Sequence, residues 1–172
     1  MSEAQLAEDS DAPSIVADLT RRGLKIGVAE SLTGGLLVAE LVSVPGASAV
    51  VRGGVVAYDT ALKHSLLGVD ADLLAKFGPV HPEVAAQMAR GVRVAVAVDG
   101  EAADIGISTT GVAGPEPQDG QPVGRVFIAV ASAEETSVVE LALHGSRTAI
   151  RMRVVSESLR ELKRFLGKYI AP

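Results

Sequence analysis

The 172-residue sequence predicts an α/β fold, a three-layer α/β/α sandwich on a mixed, mostly parallel sheet. Strand patterns alternate with helical patterns along most of the chain, which is typical of strands joined by crossover helices. Two adjacent β segments near the C-terminus have a short connection, which indicates one antiparallel hairpin. Hydrophobic residues make up 48% of the chain, enough to build a core on both faces of a sheet.

The first half of the chain contains several clear boundary signals. Residues 1–11 are polar and acidic and are predicted to form a disordered tail, with residues 12–172 as a single domain. Pro13 begins a predicted helix that Gly23 ends. Five elements are predicted to follow: a strand over 24–28, a helix over 36–44, a β-rich segment over 49–59, and helices over 60–67 and 70–77.

The second half begins with Pro82 as the first residue of a helix. Its predicted inward face is Val84, Ala85, Met88, Val92, Ala95 and Val96. The remaining predicted elements are a buried strand over 103–109, a Gly- and Pro-rich loop over 111–122, a hairpin of strands over 125–132 and 137–144, and a long helix from about residue 146.

Composition excludes several classes of function. Sixteen Lys and Arg against 21 Asp and Glu give a net charge of −5, which argues against non-specific nucleic-acid binding. Cysteine is absent, so disulfides, thiolate nucleophiles and Cys metal ligands are excluded. No apolar run approaches the roughly 18 residues of a membrane span. We therefore expect a cytoplasmic protein with neither a membrane nor a nucleic-acid partner, while a homo-oligomer is compatible with the sequence.

The most informative segment is Ala-Glu-Ser-Leu-Thr-Gly-Gly at residues 29–35, between a predicted strand and a predicted helix. Unpaired N–H groups and the positive end of the helix dipole are expected there. The turn can bind a phosphate, or it can present Ser31 as a nucleophile beside an oxyanion hole. The alternative is a helix cap made by Ser31 or Thr33. Tyr58 and Thr110 also follow strands, which favours a functional site at this edge of the sheet.

Four motifs together carry a resemblance to a known family. They are residues 29–35; Arg-Gly-Gly-Val-Val-Ala-Tyr at 52–58, with Lys63 five residues later; Thr-Gly-Val-Ala-Gly-Pro at 110–115; and His-Gly-Ser-Arg at 144–147. In order and spacing, the chain resembles the C-terminal domain of the CinA family, the nicotinamide-nucleotide amidohydrolases, from about Pro13 to Leu166. Full-length members carry a further N-terminal domain, and we expect this chain to be the stand-alone form.

The resemblance implies an enzyme that deamidates nicotinamide mononucleotide (NMN) to nicotinate mononucleotide and ammonia, with neither a metal nor an organic cofactor. It implies Ser31 as the nucleophile and Lys63 as the general base. To serve as a base, Lys63 needs its pKa lowered from about 10.4 toward 7 by burial or a nearby positive charge. Tyr58 is expected to donate to the nucleophile or relay a proton. Thr110 is expected to bond the carboxamide or to orient Lys63.

Six residues are predicted to contact the substrate: Thr33, Gly34, Gly35, Gly111, Gly114 and Arg147. Glycines allow the backbone to approach a ligand closely. Arg147 follows Ser146, a predicted helix N-cap, and its guanidinium suits a phosphate. On the sequence alone, each of three residues keeps an alternative without chemistry: a solvated lysine for Lys63, an exposed arginine without a role for Arg147, and a packing residue for Tyr58.

One loop departs from the family pattern. Many relatives have Gly-Pro-Gly-Gly where this chain has Gly-Pro-Glu-Pro-Gln-Asp-Gly at 114–120. The carboxylates of Glu116 and Asp119 would repel a phosphate if they faced it, which leaves the preferred nucleotide open. The sequence is also compatible with two alternatives to an enzyme: a non-catalytic nucleotide-binding or regulatory module, and a structural domain whose glycines serve packing.

Overall fold

The computed structural model describes residues 10–169. Within that range, five strands form one sheet: β1 (Ile26–Glu30), β2 (Val51–Val56), β3 (Ile105–Gly111), β4 (Arg125–Ala131) and β5 (Thr136–Ala142). The strand order is β2-β1-β3-β4-β5. β1 pairs in parallel with β2 and β3, whereas β4 is antiparallel to β3 and β5. The mixed sheet and its late hairpin are therefore confirmed.

Six helices flank this sheet in the described part of the chain: α1 (Ala12–Arg22), α2 (Leu36–Val42), α3 (Thr60–Leu67), α4 (Ala71–Phe77), α5 (Pro82–Ala95) and α6 (Arg147–Lys168). One apolar cluster joins α1, α2 and α6 to Ile26, Val28, Ile105 and Ile107 of the sheet. Another joins α3, α4 and α5 to Ala29, which belongs to the opposite face. The helices thus form two layers with the sheet between them, as the sequence predicts.

Several boundaries differ from the predicted ones. β1 covers Ile26–Glu30, later than the predicted 24–28, because its ladder to β3 begins at Ile26. Helix α2 ends at Val42, two residues early. On α5 the predicted inward face is wrong at Ala95, which is exposed at the last turn. None of the helices over residues 10–169 is long and apolar enough to cross a membrane.

The predicted tail over 1–11 falls mainly outside the described residues, since 1–9 are not described. Its last two residues contact the domain. Ser10 Oγ donates to Glu40 Oε1 over 2.6 Å, and Asp11 Oδ1 lies 2.6 Å from Lys163 Nζ. Ser10 and Asp11 are therefore packed on the domain, although both fall within the predicted tail.

Two glycines set the spacing of the α3–α5 layer. A Cβ on Gly91 of α5 would lie 1.8 Å from the Leu67 carbonyl oxygen at the end of α3. A Cβ on Gly106 of β3 would lie 2.0 Å from the Ala89 carbonyl oxygen of α5. Both distances are far below van der Waals contact. Helix α5 therefore packs directly against β3 and α3, and this packing fixes the position of α3.

We expect Gly91→Ala to destabilise the fold, although alanine is the better helix former by about 1 kcal/mol. The added methyl group would collide with the Leu67 backbone, and overpacking of this kind costs about 1–3 kcal/mol. Gly167→Ala in α6 is the matched control, because a Cβ there meets nothing within 4 Å. Denaturant unfolding should show a loss for Gly91→Ala and no loss for Gly167→Ala. A Gly91→Ala variant as stable as the native chain would contradict the close packing.

Candidate active site

The serine singled out by the sequence lies directly after β1 and beside a buried lysine. Ser31 N–H donates to the Thr109 carbonyl of β3 over 3.0 Å, which extends the sheet to the serine. Its side chain reaches Lys63, whose Nζ donates to Ser31 Oγ over 3.1 Å and to the Ala57 carbonyl over 2.7 Å. Ser31 is 9% exposed and Lys63 is 1% exposed. Strand β1 and helix α3 therefore place a hydroxyl and an amine in contact away from water.

Burial lowers the pKa of Lys63 from 10.5 to about 8, and the carboxylate of Asp59 opposes this shift by raising it. Asp59 is held one turn away because its side chain caps α3, accepting from Ala61 N–H over 2.8 Å. Desolvation is the larger effect. With this pKa, roughly one Lys63 amine in ten is neutral at pH 7, and the fraction rises with pH.

The N-terminus of α2 is already occupied by a side chain of the protein. The Glu30 carboxylate is 1% exposed and accepts from the N–H groups of Gly35, Leu37 and Val38 over 3.0, 3.1 and 2.9 Å. The prediction that these groups are unpaired is therefore wrong. A phosphate cannot bind there without displacing Glu30, which stabilises the turn as an anion at a helix N-terminus.

Thr33 contacts the sheet instead of solvent. It is fully buried, and its Oγ1 lies 2.8 Å from Thr109 Oγ1 in a hydroxyl–hydroxyl bond. On the other side of the turn, Arg151 of α6 donates from Nε to the Leu32 carbonyl over 2.8 Å and from Nη2 to the Thr33 carbonyl over 2.9 Å. The Ser31 turn, residues 31–35, is thus bonded on one side to strand β3 of the sheet and on the other side to helix α6.

A cavity of about 110 Å³ opens beside Ser31. Seven of the residues predicted to form a site line it: Ser31, Tyr58, Lys63, Thr110, Gly111, Gly114 and Arg147. Three do not line it, namely Thr33, Gly34 and Gly35. These three residues lie on the part of the Ser31 turn that contacts Thr109, Glu30 and Arg151.

Arg147 lies across the mouth of the cavity. Its Nη1 donates to the Gly114 carbonyl over 2.7 Å, and its Nη2 donates to the Tyr58 hydroxyl over 2.9 Å. Ser146 caps α6 by accepting from Ala149 N–H over 3.2 Å, as predicted, and so fixes the start of the helix that carries Arg147. Tyr58 is 60% exposed, and its hydroxyl is bonded to Arg147 instead of to Ser31.

Thr110 lines the cavity with its hydroxyl proton already engaged. Its Oγ1 donates to the Pro79 carbonyl over 2.7 Å, which leaves the oxygen lone pairs to accept. The Lys63 amine is oriented by the Ala57 carbonyl and not by Thr110. The other expected role of Thr110, a bond to the carboxamide, stays a prediction. Backbone carbonyls have no signature in the sequence, so this partner of Lys63 was not predictable from side-chain patterns.

The loop over residues 114–120, which differs from the family pattern, contributes one of its two carboxylates to the cavity. Glu116 and Gln118 are among the lining residues, whereas Asp119 lies against Gly78 on a neighbouring surface. None of the three histidines, His64, His81 and His144, is among the residues that line the cavity. His64 Nδ1 is 2.8 Å from the Val69 carbonyl oxygen, and His81 Nδ1 accepts from Glu83 N–H at the start of α5. Lys63 is therefore the candidate base that contacts Ser31.

Comparisons with known proteins identify the family. The family model of the CinA C-terminal domain matches residues 8–166. A CinA-like protein of Frankia casuarinae is 44% identical over 161 residues, which cover 94% of this chain and 36% of that protein. The chain spans well under half of the length of the curated relatives that it matches.

Solved structures show the same fold. The competence/damage inducible protein CihA of Agrobacterium tumefaciens has a TM-score of 0.84 at 34% identity, covering 92% of this chain and 94% of that one. A CinA superfamily protein of Klebsiella pneumoniae has a TM-score of 0.86 at 28% identity, covering 92% and 97%. This chain therefore belongs to the CinA C-terminal domain family.

Proposed function

We propose that this chain is an amidohydrolase that deamidates NMN to nicotinate mononucleotide and ammonia. The observation that carries the proposal is the buried contact of 3.1 Å between Lys63 Nζ and Ser31 Oγ. A serine hydroxyl is a weak nucleophile until an adjacent base accepts its proton. An amine whose pKa is lowered to about 8 is suited to that task near neutral pH.

In the first half-reaction, Ser31 Oγ attacks the carboxamide carbon of NMN and its proton passes to Lys63 Nζ. The resulting tetrahedral intermediate collapses by breaking the C–N bond. Lys63 returns the proton to the leaving nitrogen, which departs as ammonia. The acyl group is then bound to Ser31 as an ester.

In the second half-reaction, water attacks the ester carbon while Lys63 accepts a proton from it. The bond between the acyl carbon and Ser31 Oγ breaks, and Oγ recovers the proton from Lys63. Nicotinate mononucleotide leaves, and the enzyme returns to its starting state. No electrons are transferred in either step.

The cavity supports this substrate class in three ways. Its volume of about 110 Å³ is on the order of one aromatic ring. Arg147 at the mouth carries guanidinium donors suited to a phosphate, and Tyr58 positions it. Thr110 Oγ1 is available to accept from the carboxamide nitrogen. The positive pyridinium ring withdraws electrons from the carboxamide, which makes it a better electrophile than a simple amide.

We expect Ser31→Ala to lower ammonia release from NMN by at least about 10³-fold, because nucleophile and base act as a unit. The backbone bond of Ser31 to Thr109 and the bond of Lys63 to the Ala57 carbonyl stay in place, so the variant should remain folded although buried Lys63 loses one acceptor. Ser43→Ala, at the end of α2 away from the cavity, is the matched control and should keep full activity. Ammonia release by Ser31→Ala at the native rate would exclude the serine mechanism.

The second expectation concerns pH. If neutral Lys63 is the base, kcat/KM should rise about tenfold per pH unit below about 8 and level off above that value. Asp59 raises the pKa of Lys63, so Asp59→Asn should move the whole profile toward lower pH. Asparagine caps a helix as well as aspartate does, which limits damage to α3.

Asp70→Asn is the control for this pH experiment, since Asp70 caps α4 in the same way. Its profile should superimpose on the native one. A native profile that is flat between pH 6 and 9, measured with a substrate that does not titrate there, would show that another group is the base. A displacement of the Asp59→Asn profile toward higher pH would contradict the assigned electrostatics.

A further inference from the structure

Helix α6 contacts the Ser31 turn through Arg151. Arg151 is half-buried and reaches two successive carbonyl groups, those of Leu32 and Thr33, through Nε and Nη2. We propose that Arg151 is a positioning residue that fixes the peptide planes of this turn so that its amides stabilise the oxyanion. This inference rests on the proposed function, because it assigns a role in the same reaction.

Peptide planarity links the carbonyl contacts of Arg151 to the direction of the amides. In a trans peptide, the C=O and the following N–H point in opposite directions. Because the Leu32 carbonyl points to Arg151, the Thr33 N–H points away from α6. The same holds for the Thr33 carbonyl and the Gly34 N–H. By holding two carbonyls, Arg151 therefore sets the orientation of the two amides that follow them.

Three amides of the turn are already bonded, and they include the Gly34 N–H, so the Thr33 N–H is the amide oriented by Arg151 that stays available. Ser31 N–H donates to the Thr109 carbonyl, Gly34 N–H to the Ser31 carbonyl over 3.1 Å, and Gly35 N–H to Glu30. Among residues 10–169, the N–H groups of Leu32 and Thr33 have no acceptor. Leu32 and Thr33 are the first and second residues after Ser31, and Leu32 lines the cavity. They are the amides available to an oxyanion formed by attack of Ser31.

The shape of the side chain explains why arginine occupies this position. A guanidinium has several donors in a fixed planar fork, so one group holds two carbonyls in a defined relation. Its Nη2 lies 3.3 Å from the place of a Cβ on Gly34, so the fork is in close contact with the turn. Lysine is a single-point donor on a flexible stem and cannot fix both planes.

The test compares Arg151→Met with Arg22→Met. Arg22 also bridges two backbone carbonyls, those of Leu166 and Tyr169, over 2.9 and 2.6 Å. It does so at the C-terminus of α6, away from the cavity. Each variant loses an arginine that tethers the chain to a neighbouring element. A purely structural role of Arg151 therefore predicts similar behaviour of the two variants.

We expect Arg151→Met to lower kcat for NMN deamidation by about 100-fold with KM within about threefold, as for a lost oxyanion donor. Arg22→Met should keep kcat within about twofold even if its melting temperature falls equally. Arg151→Lys, which keeps the charge and one donor, should recover part of kcat and provides a second variant if Arg151→Met does not fold. Equal kcat values for folded Arg151 and Arg22 variants would overturn the proposal.

A second readout separates this proposal from the proposed function. Amide hydrogen exchange at Gly34, whose peptide plane Arg151 holds, and at the next residue Gly35 should accelerate in Arg151→Met or Arg151→Lys and stay unchanged in Arg22→Met. If the native chain releases no ammonia from NMN, the deamidase assignment fails, and exchange then decides the positioning role by itself. Unchanged exchange at both amides in the Arg151 variants would overturn that role whatever the activity.

Discussion

The burial of one lysine against one serine is the constraint on which the site depends. Lys63 is placed by α3, and its amine is shared between the Ala57 carbonyl and Ser31 Oγ. Lowering its pKa from 10.5 to about 8 means that the protonated side chain destabilises the fold by on the order of 3 kcal/mol at neutral pH. This cost is present below pH 8 and disappears as the pH rises through 10.5. A fold selected for stability alone would not place a lysine there.

Contacts elsewhere in the structure hold Ser31 and Lys63 next to each other. Glu30 satisfies three amides at the start of α2, and Arg151 holds two carbonyls from the opposite side. The close packing of Gly91 against Leu67 locks α5 to the end of α3, and so fixes the helix that carries Lys63. Ser31 and Lys63 therefore come from different elements whose relative position is set by backbone contacts.

Much of this arrangement could be predicted from the sequence, and the reasons are physical. The elements were predictable because apolar periodicity and Gly and Pro boundaries are local signals. Ser31, Tyr58 and Thr110 were predictable as neighbours because all three lie at the carboxyl ends of strands of one sheet. The prediction that Thr110 follows its strand is wrong in detail, since β3 continues to Gly111 and pairs Thr110 with Phe127. The orientation of the Ser31 turn was not predictable. The Thr33 side chain bonds to the sheet instead of facing the cavity, and the Glu30 carboxylate, instead of a ligand, accepts from the N–H groups at the start of α2. Arg151 was missed because its partners are carbonyls, which every residue has.

The proposed mechanism requires Ser31 to form an ester with the acyl group of the substrate. The most direct test is to measure product partitioning with hydroxylamine present during NMN turnover. If acylation limits the rate, ammonia release should stay constant while the product shifts from nicotinate mononucleotide to its hydroxamate as hydroxylamine rises. Formation of nicotinate mononucleotide alone, at every hydroxylamine concentration, would contradict an acyl-enzyme on Ser31.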